Sequence, residues 1–241
     1  MPLPVLATWR NLEPGIEYLH LPYQFLSPWS HIHALRINLN YNFFSIVTAS
    51  ELLQLSAAVT EYTEKTAALI AVNGGFFDHN YKPLGLRITA RHKKIPLKSI
   101  SWWGVFYIEH NRPHVISMKA FQNNNQIDFA IQSGPRLLIK QQIPELKSGI
   151  AERSALGITK DNKIIIVVTE NAPLSTTKLA EIMRASPLNC QDAINLDGGG
   201  SSQLNVQINH FNLHVPGFNN VSDAIIIKAR PTGSLNQTFR T

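Results

Sequence analysis

The sequence predicts an α+β fold: one domain over residues 1–241, with a mixed, largely antiparallel β-sheet and a few covering helices. Three observations lead there. Strand-like segments outnumber helix-like ones, a hairpin signal joins two of the most apolar segments, and no internal repeat or low-complexity linker divides the chain. A hairpin is an antiparallel unit, so a purely parallel, doubly wound sheet does not fit.

The elements follow in chain order. Residues 31 to 39 alternate, with Leu35, Ile37 and Leu39 apolar and Arg36 and Asn38 polar, as a half-buried strand requires. Residues 50 to 65 open on Ser50, a good N-cap, and set Leu52, Leu55 and Val59 at helical spacing. The apolar run from Ala67 to Val72 reads as a buried strand ending in Asn73-Gly74-Gly75. Further strands are expected near 84–89, 104–109, 113–118 and 127–132. Arg153 to Thr159 and Lys163 to Thr169 flank the turn-type spacer Lys160-Asp161-Asn162, which is the hairpin signal. Ser175, Thr176 and Thr177 offer caps for a helix with Leu179, Ile182 and Met183 on one face, stopped by Pro187. Asp192 to Leu196 forms a strand that runs into Asp197-Gly198-Gly199-Gly200, and Ala224 to Ala229 closes the sheet.

Composition narrows the function. A 44% hydrophobic content supplies a large core without staples, and the single cysteine, Cys190, has no bridge partner within the chain and reads as a buried apolar residue. Lys and Arg exceed Asp and Glu by 22 to 16, which favours anionic ligands. The only basic run, Arg91-His92-Lys93-Lys94, reads as a solvated turn with no aromatic RNA-binding signature beside it, so nucleic acid is not expected, and small phosphorylated ligands would suit the basic surface as well as polynucleotides would. No stretch approaches the roughly 20 apolar residues that span a bilayer. The opening Met1-Pro2-Leu3-Pro4-Val5-Leu6 lacks the features of a secretory signal. Asn220-Val221-Ser222 and Asn236-Gln237-Thr238 match the glycosylation acceptor pattern. The nine histidines show no metal-ligand spacing; His31 and His33 share a strand face and are read as structural or surface residues. No metal or cofactor is expected.

The chemistry concentrates in two glycine turns. In Ile194-Asn195-Leu196-Asp197-Gly198-Gly199-Gly200-Ser201-Ser202 an apolar strand delivers a carboxylate into a turn whose N–H groups and hydroxyls could surround a phosphate, or which could be a tight loop with no ligand. Neither turn has the lysine of a P-loop or the glycine spacing of a dinucleotide fingerprint. Strand parity places Asn195 and Asp197 on one face and Ile194 and Leu196 on the other. The same parity leaves Arg153 with only Ala155 and Gly157 on its face, which suggests room for a ligand beside the guanidinium. Glu170 stands where the buried run Ile164 to Val168 emerges, and is either a partly desolvated carboxylate or a solvated loop residue. Val72-Asn73-Gly74-Gly75-Phe76-Phe77-Asp78 repeats the plan of strand, amide, glycines and carboxylate, with Phe76 or Phe77 as core or sugar-binding wall. Ser133-Gly134-Pro135-Arg136 presents a second arginine suited to bidentate phosphate recognition.

Four of these segments, in this order, resemble the phosphodiester glycosidase family: Asn73 to Asp78, Ser133 to Arg136, Arg153 to Gly157, and Asn195 to Ser202. The resemblance covers most of the chain, with residues 67 to 229 carrying the specific signal. It implies hydrolysis of a sugar-1-phosphodiester, N-acetylglucosamine-1-phosphodiester or a related cell-envelope glycan, in the periplasm or after secretion. On the family pattern, Asp197, Glu170 and Asp78 are the catalytic candidates, the choice of base or nucleophile staying open. Arg136 and Arg153 are assigned to the phosphate, with Asn73, Gly74, Gly75, Gly198, Gly199 and Ser201 in supporting binding roles. The chain departs from the family at Glu170-Asn171-Ala172, where an Asp-Gly pair is common, and at Asn219 to Asp223, where an arginine often precedes the last strand. Two rival readings use the same loops: a non-catalytic binder of phosphorylated glycans, and a metal-dependent phosphodiesterase with Asp78 and Asp197 as ligands.

Overall fold

Alternating and doubly apolar strands stack into three large antiparallel sheets in the computed structural model, which describes residues 8–21 and 28–231. The opening Met1 to Leu6 and the acceptor triplet Asn236-Gln237-Thr238 lie outside the described residues.

The first sheet has seven strands in the order Arg10–Glu13, Ile16–Leu21, His31–Ile37, Ile164–Glu170, Ser154–Thr159, Cys190–Asn195, Arg136–Leu138. The second orders His92–Ile95, Arg87–Thr89, Ile127–Ser133, Gly104–Glu109, Arg112–Ser117. The third orders Phe211–Val215, Leu204–Ile208, Ile70–Asn73, Asp223–Ala229, Asn42–Thr48. A short ladder pairs Ile150–Ala151 with Leu174–Ser175. Two helices cover this framework, α1 at Val59–Thr66 and α2 at Thr176–Arg184.

The expected mixed sheet is corrected on one point: every strand ladder among the described residues is antiparallel. Parallel pairs need long crossovers, usually helical, and the described residues supply two short α-helices. The β content is correspondingly dominant.

Burial explains the patterns. In the predicted hairpin, Ser154–Thr159 pairs with Ile164–Glu170, and the turn closes through Asn162 at φ 60°. Ile164, Ile166 and Val168 face a core built from all three large sheets, while Ile165 and Val167 face a second core beneath α2. With both faces covered, the strand reads as an unbroken apolar run. Ser175 caps α2, its Oγ accepting from Lys178 N at 3.0 Å, and Leu179, Ala180 and Met183 are its buried stripe.

The helix expected over 50–65 is broken in two. A 3-10 turn at Ala49–Leu52 ends at Leu53, whose φ of 60° is left-handed, and α1 begins only at Val59. Glu51 and Glu61 each reach back to the N–H of the residue three before them, so the two N-termini lie at Thr48 and Ala58 rather than at Ser50. Leu55, counted as part of the apolar stripe, is exposed. The neighbouring strand is shorter than expected, Ile70–Asn73, because α1 ends through Ala67 in the left-handed region. Arg91 to Lys94 form a hairpin turn and an edge strand, with Arg91 paired to Asp128 and Lys94 to Glu51. Cys190 is fully buried, and burial pushes its thiol pKa far up. No helix among the described residues is long and apolar enough to cross a membrane.

Candidate active site

Both glycine turns follow the ends of strands, at Asn73 and Asn195, in different sheets. Asn73 joins them. Its side chain is buried; Nδ2 donates to the Asp197 carbonyl at 2.9 Å, and Oδ1 accepts from Ser154 Oγ at 2.7 Å and Gln203 N at 3.1 Å. The Asp197 N–H returns to the Gly74 carbonyl at 3.3 Å. An amide with one acceptor and two donors can tie several chains at one point, which no apolar residue can do.

Gly74 and Gly75 are glycines for reasons of space. A Cβ on Gly74 would stand 1.6 Å from Asp223 Oδ1, and one on Gly75 would stand 2.7 Å from Arg87 Nη2. Behind this turn Arg87 Nε donates to Asp223 Oδ2 at 2.8 Å in an ion pair with both side chains fully buried. Burial raises the Asp223 pKa, against the pull of Arg87 and of the Gly75 N–H. Arg87 Nη1 donates to the carbonyls of Leu84 and Gln132, each at 3.2 Å. Such a pair is costly to bury, and these carbonyls offset part of that cost, while Arg87 Nη2 and Asp223 Oδ1 are buried without a hydrogen-bond partner.

Asp197 opens into a cleft of about 590 Å³. Burial is the main cause that raises its carboxyl pKa to about 6; the nearby Asp223 charge adds to this, while the Ser201 hydroxyl, the Gly198 N–H and Arg87 oppose it. The Gly198 N–H donates to Asp197 Oδ1 at 3.0 Å. Gly198 is extended and pressed against the Glu152 carbonyl, and Gly199 turns left-handed at φ 62° with open space where a side chain would be. Its N–H donates to the Glu152 carbonyl at 2.8 Å.

Arg153 lines the same cleft. Its Nε donates to Leu174 O at 2.8 Å and its Nη2 to Gly149 O at 2.6 Å, which fixes the plane of the guanidinium. Nη1 stands 3.8 Å from the position a Cβ on Gly198 would take. No carboxylate among the described residues pairs with this cation, and burial lowers its pKa. Thr176, the first residue of α2, also lines the cleft, so the positive end of that helix adds to the favourable field for an anion.

The remaining candidates fall elsewhere. Asp78 Oδ1 accepts from the N–H groups of Asn80 and Lys82, both at 2.9 Å, and serves its own turn. Glu170 meets His33 Nε2 at 3.1 Å, and His33 Nδ1 meets the Tyr18 hydroxyl at 2.9 Å, on a part of the first sheet that does not line the cleft. Burial lowers the His33 pKa despite Glu170 beside it. Glu152 fixes the departure segment, with Oε1 accepting from Ala172 N at 2.9 Å. Arg136 runs along Gly104, whose Cβ would fall 2.7 Å from Arg136 Cγ, and is not among the residues lining the cleft. The space expected beside Gly157 is filled by Cys190 and Met183. Among the described residues no group of three or more His, Cys, Asp or Glu is placed to hold a metal ion.

Of the cleft wall, sequence reasoning named Phe76, as either core or wall, and missed most of the rest. Phe76 stacks on Trp103 with centroids 5.1 Å apart, and Trp102, 56% exposed, stands edge-on to Trp103 at 5.8 Å; Phe76 and Trp102 line one side. The segment from Glu145 to Ala151 lines another, without a motif to mark it. Asn195 also lines the cleft, and its parity with Asp197 was the available signal. Arg87 carried a signal too, a charge between Leu86 and Ile88 in an apolar strand.

The fold is shared with several solved structures. The zebrafish N-acetylglucosamine-1-phosphodiester alpha-N-acetylglucosaminidase catalytic domain, auto-inhibited by its pro-peptide, superposes with a TM-score of 0.69 at 19% identity, over 93% of this chain and 87% of that one. A hypothetical protein from Synechocystis gives 0.67 at 16% identity, over 93% of this chain and 64% of that one. In sequence, the uncharacterized protein YigE of Escherichia coli (strain K12) is 29% identical over 130 residues, 49% of this chain and 51% of that protein. The chain thus spans about half the length of this curated relative. The family model described as phosphodiester glycosidase matches residues 66–228, a span that contains both glycine turns, the buried ion pair and the cleft carboxylate, and the chain belongs to the phosphodiester glycosidase family.

Proposed function

We propose that the cleft hydrolyses a sugar-1-phosphodiester, breaking the bond between the anomeric carbon and the phosphate oxygen. The observation that carries this reading is that Asp197 and Arg153 line one cleft, a carboxyl with a pKa near neutrality beside a fixed guanidinium that has no acidic partner among the described residues. A phosphomonoester is a far better leaving group than a sugar alcohol, so its departure needs charge neutralisation more than a strong general acid. Arg153, with the N-terminus of α2, takes the phosphate charge. Asp197, ionised, takes the proton of the attacking water as the oxygen bonds to the anomeric carbon and the C–O electron pair leaves with the phosphate. The products are the free sugar and a phosphomonoester. Phe76 and Trp102 offer flat apolar faces for a ring. N-acetylglucosamine-1-phosphodiester, or a related envelope glycan met in the periplasm or outside the cell, is the substrate class that the family suggests.

Hydrolysis of UDP-N-acetylglucosamine and of synthetic sugar phosphodiesters in ¹⁸O-water tests this. The label is expected in the released sugar. Label in the phosphate would assign the reaction to a phosphodiesterase, and binding by calorimetry without turnover across the panel would leave a glycan-binding protein.

A further inference from the structure

Asn195 is 3% exposed, lines the cleft, and presents its amide in a fixed sense. Nδ2 donates to the carbonyls of Gly134 at 3.3 Å and Leu196 at 2.5 Å. Exchanging the amide nitrogen and oxygen would set oxygen against both carbonyls, so Oδ1 is an acceptor, and it has no hydrogen-bond partner. A buried acceptor left in that state is unfavourable, and one on a cleft wall calls for a partner from outside the chain, a water or a ligand.

A hydroxyl donates, and is therefore a simple group that answers to this acceptor. Position narrows the ligand further. Asn195 and Asp197 are two residues apart on one face, a reach of about 6.5 Å along extended chain. A ring whose anomeric carbon meets Asp197 brings its own hydroxyls to that reach, whereas the aglycone leaves on the phosphate side with Arg153.

We infer that Asn195 Oδ1 accepts a hydrogen bond from one ring hydroxyl of the bound sugar and so selects the sugar in the cleft. The inference rests on the phosphodiester glycosidase reading above.

The test is a cycle between protein and substrate. Wild type and Asn195→Ala are assayed on a sugar phosphodiester and on its analogues lacking one ring hydroxyl at a time. In wild type one analogue is expected to lose about tenfold or more in kcat/KM, and in Asn195→Ala that loss disappears while the losses at other positions remain. Equal losses in both proteins at every position would overturn the inference. Because Asn195 also supports Gly134 and Leu196, a second measurement uses wild type alone: its Asn195 side-chain carbonyl carbon resonance should shift on adding a non-cleavable sugar 1-phosphonate, and not on adding the matching deoxy phosphonate. Identical shifts, or none, would also reject it. Turnover without coupling sinks the role of Asn195 only; absence of turnover by wild type on every phosphodiester sinks the reaction it rests on.

Discussion

Asn73 Nδ2 and the Asp197 carbonyl lie 2.9 Å apart, so one buried amide joins two turns separated by 124 residues of chain. The same side chain also serves Ser154 and the Gln203 N–H. Asn73→Ala strands all three buried partners, and the expected loss of stability is about 3–4 kcal/mol. Urea unfolding measures it; a midpoint equal to wild type would show that the turns hold without the amide.

Asp197 links activity to stability with opposite signs. Its pKa is about 6 when folded, against an ordinary value of 3.8, so between these pH values the native chain binds more protons than the unfolded one. Stability therefore falls as pH rises through that window, and the full penalty, about 2–3 kcal/mol, persists above it. Asp197→Asn is expected to raise the melting temperature at pH 7 while reducing kcat about 10³-fold or more. In wild type kcat/KM should rise with pH through about 6 as the carboxylate forms, a limb absent from the residual activity of the variant. A flat profile in wild type would remove Asp197 from the proton transfer.

Arg153→Ala should weaken binding of inorganic phosphate by about 10-fold or more, the scale of a charge-assisted hydrogen bond, as read by calorimetry. Arg153→Lys is not expected to restore it. The guanidinium spends Nε and Nη2 on two carbonyls and keeps Nη1 toward Gly198, a division that an ammonium on a flexible stem cannot reproduce. Full rescue by lysine would mean that only the charge matters.

Glu170→Gln and Asp78→Asn are expected to keep kcat/KM within about twofold of wild type, the range of changes that leave transition-state contacts untouched. One carboxylate faces His33 and the other closes its own turn, and neither lines the cleft. A large loss in either would move the chemistry away from Asp197.

Local sequence determined what local physics governs: the hairpin around Lys160 to Asn162, the Ser175-capped α2, the burial of Cys190, and a carboxylate delivered into glycines at the end of an apolar strand. Leu53 in the left-handed region, which broke the expected helix, carries no residue signal because leucine rarely adopts it. Tertiary structure decided the rest. Gly74 and Gly75 read from sequence as supporting backbone donors, and the Arg87–Asp223 pair packed behind them, 136 residues apart in sequence, adds a steric reason for glycine there. Arg153 and Asp197 meet in one cleft, while Glu170, Asp78 and Arg136, equally plausible by residue type, do not line it. Periodicity fixes which way a side chain leaves its own strand; which strand ends meet depends on how separate sheets share a core, a long-range packing outcome that no short window of residues encodes.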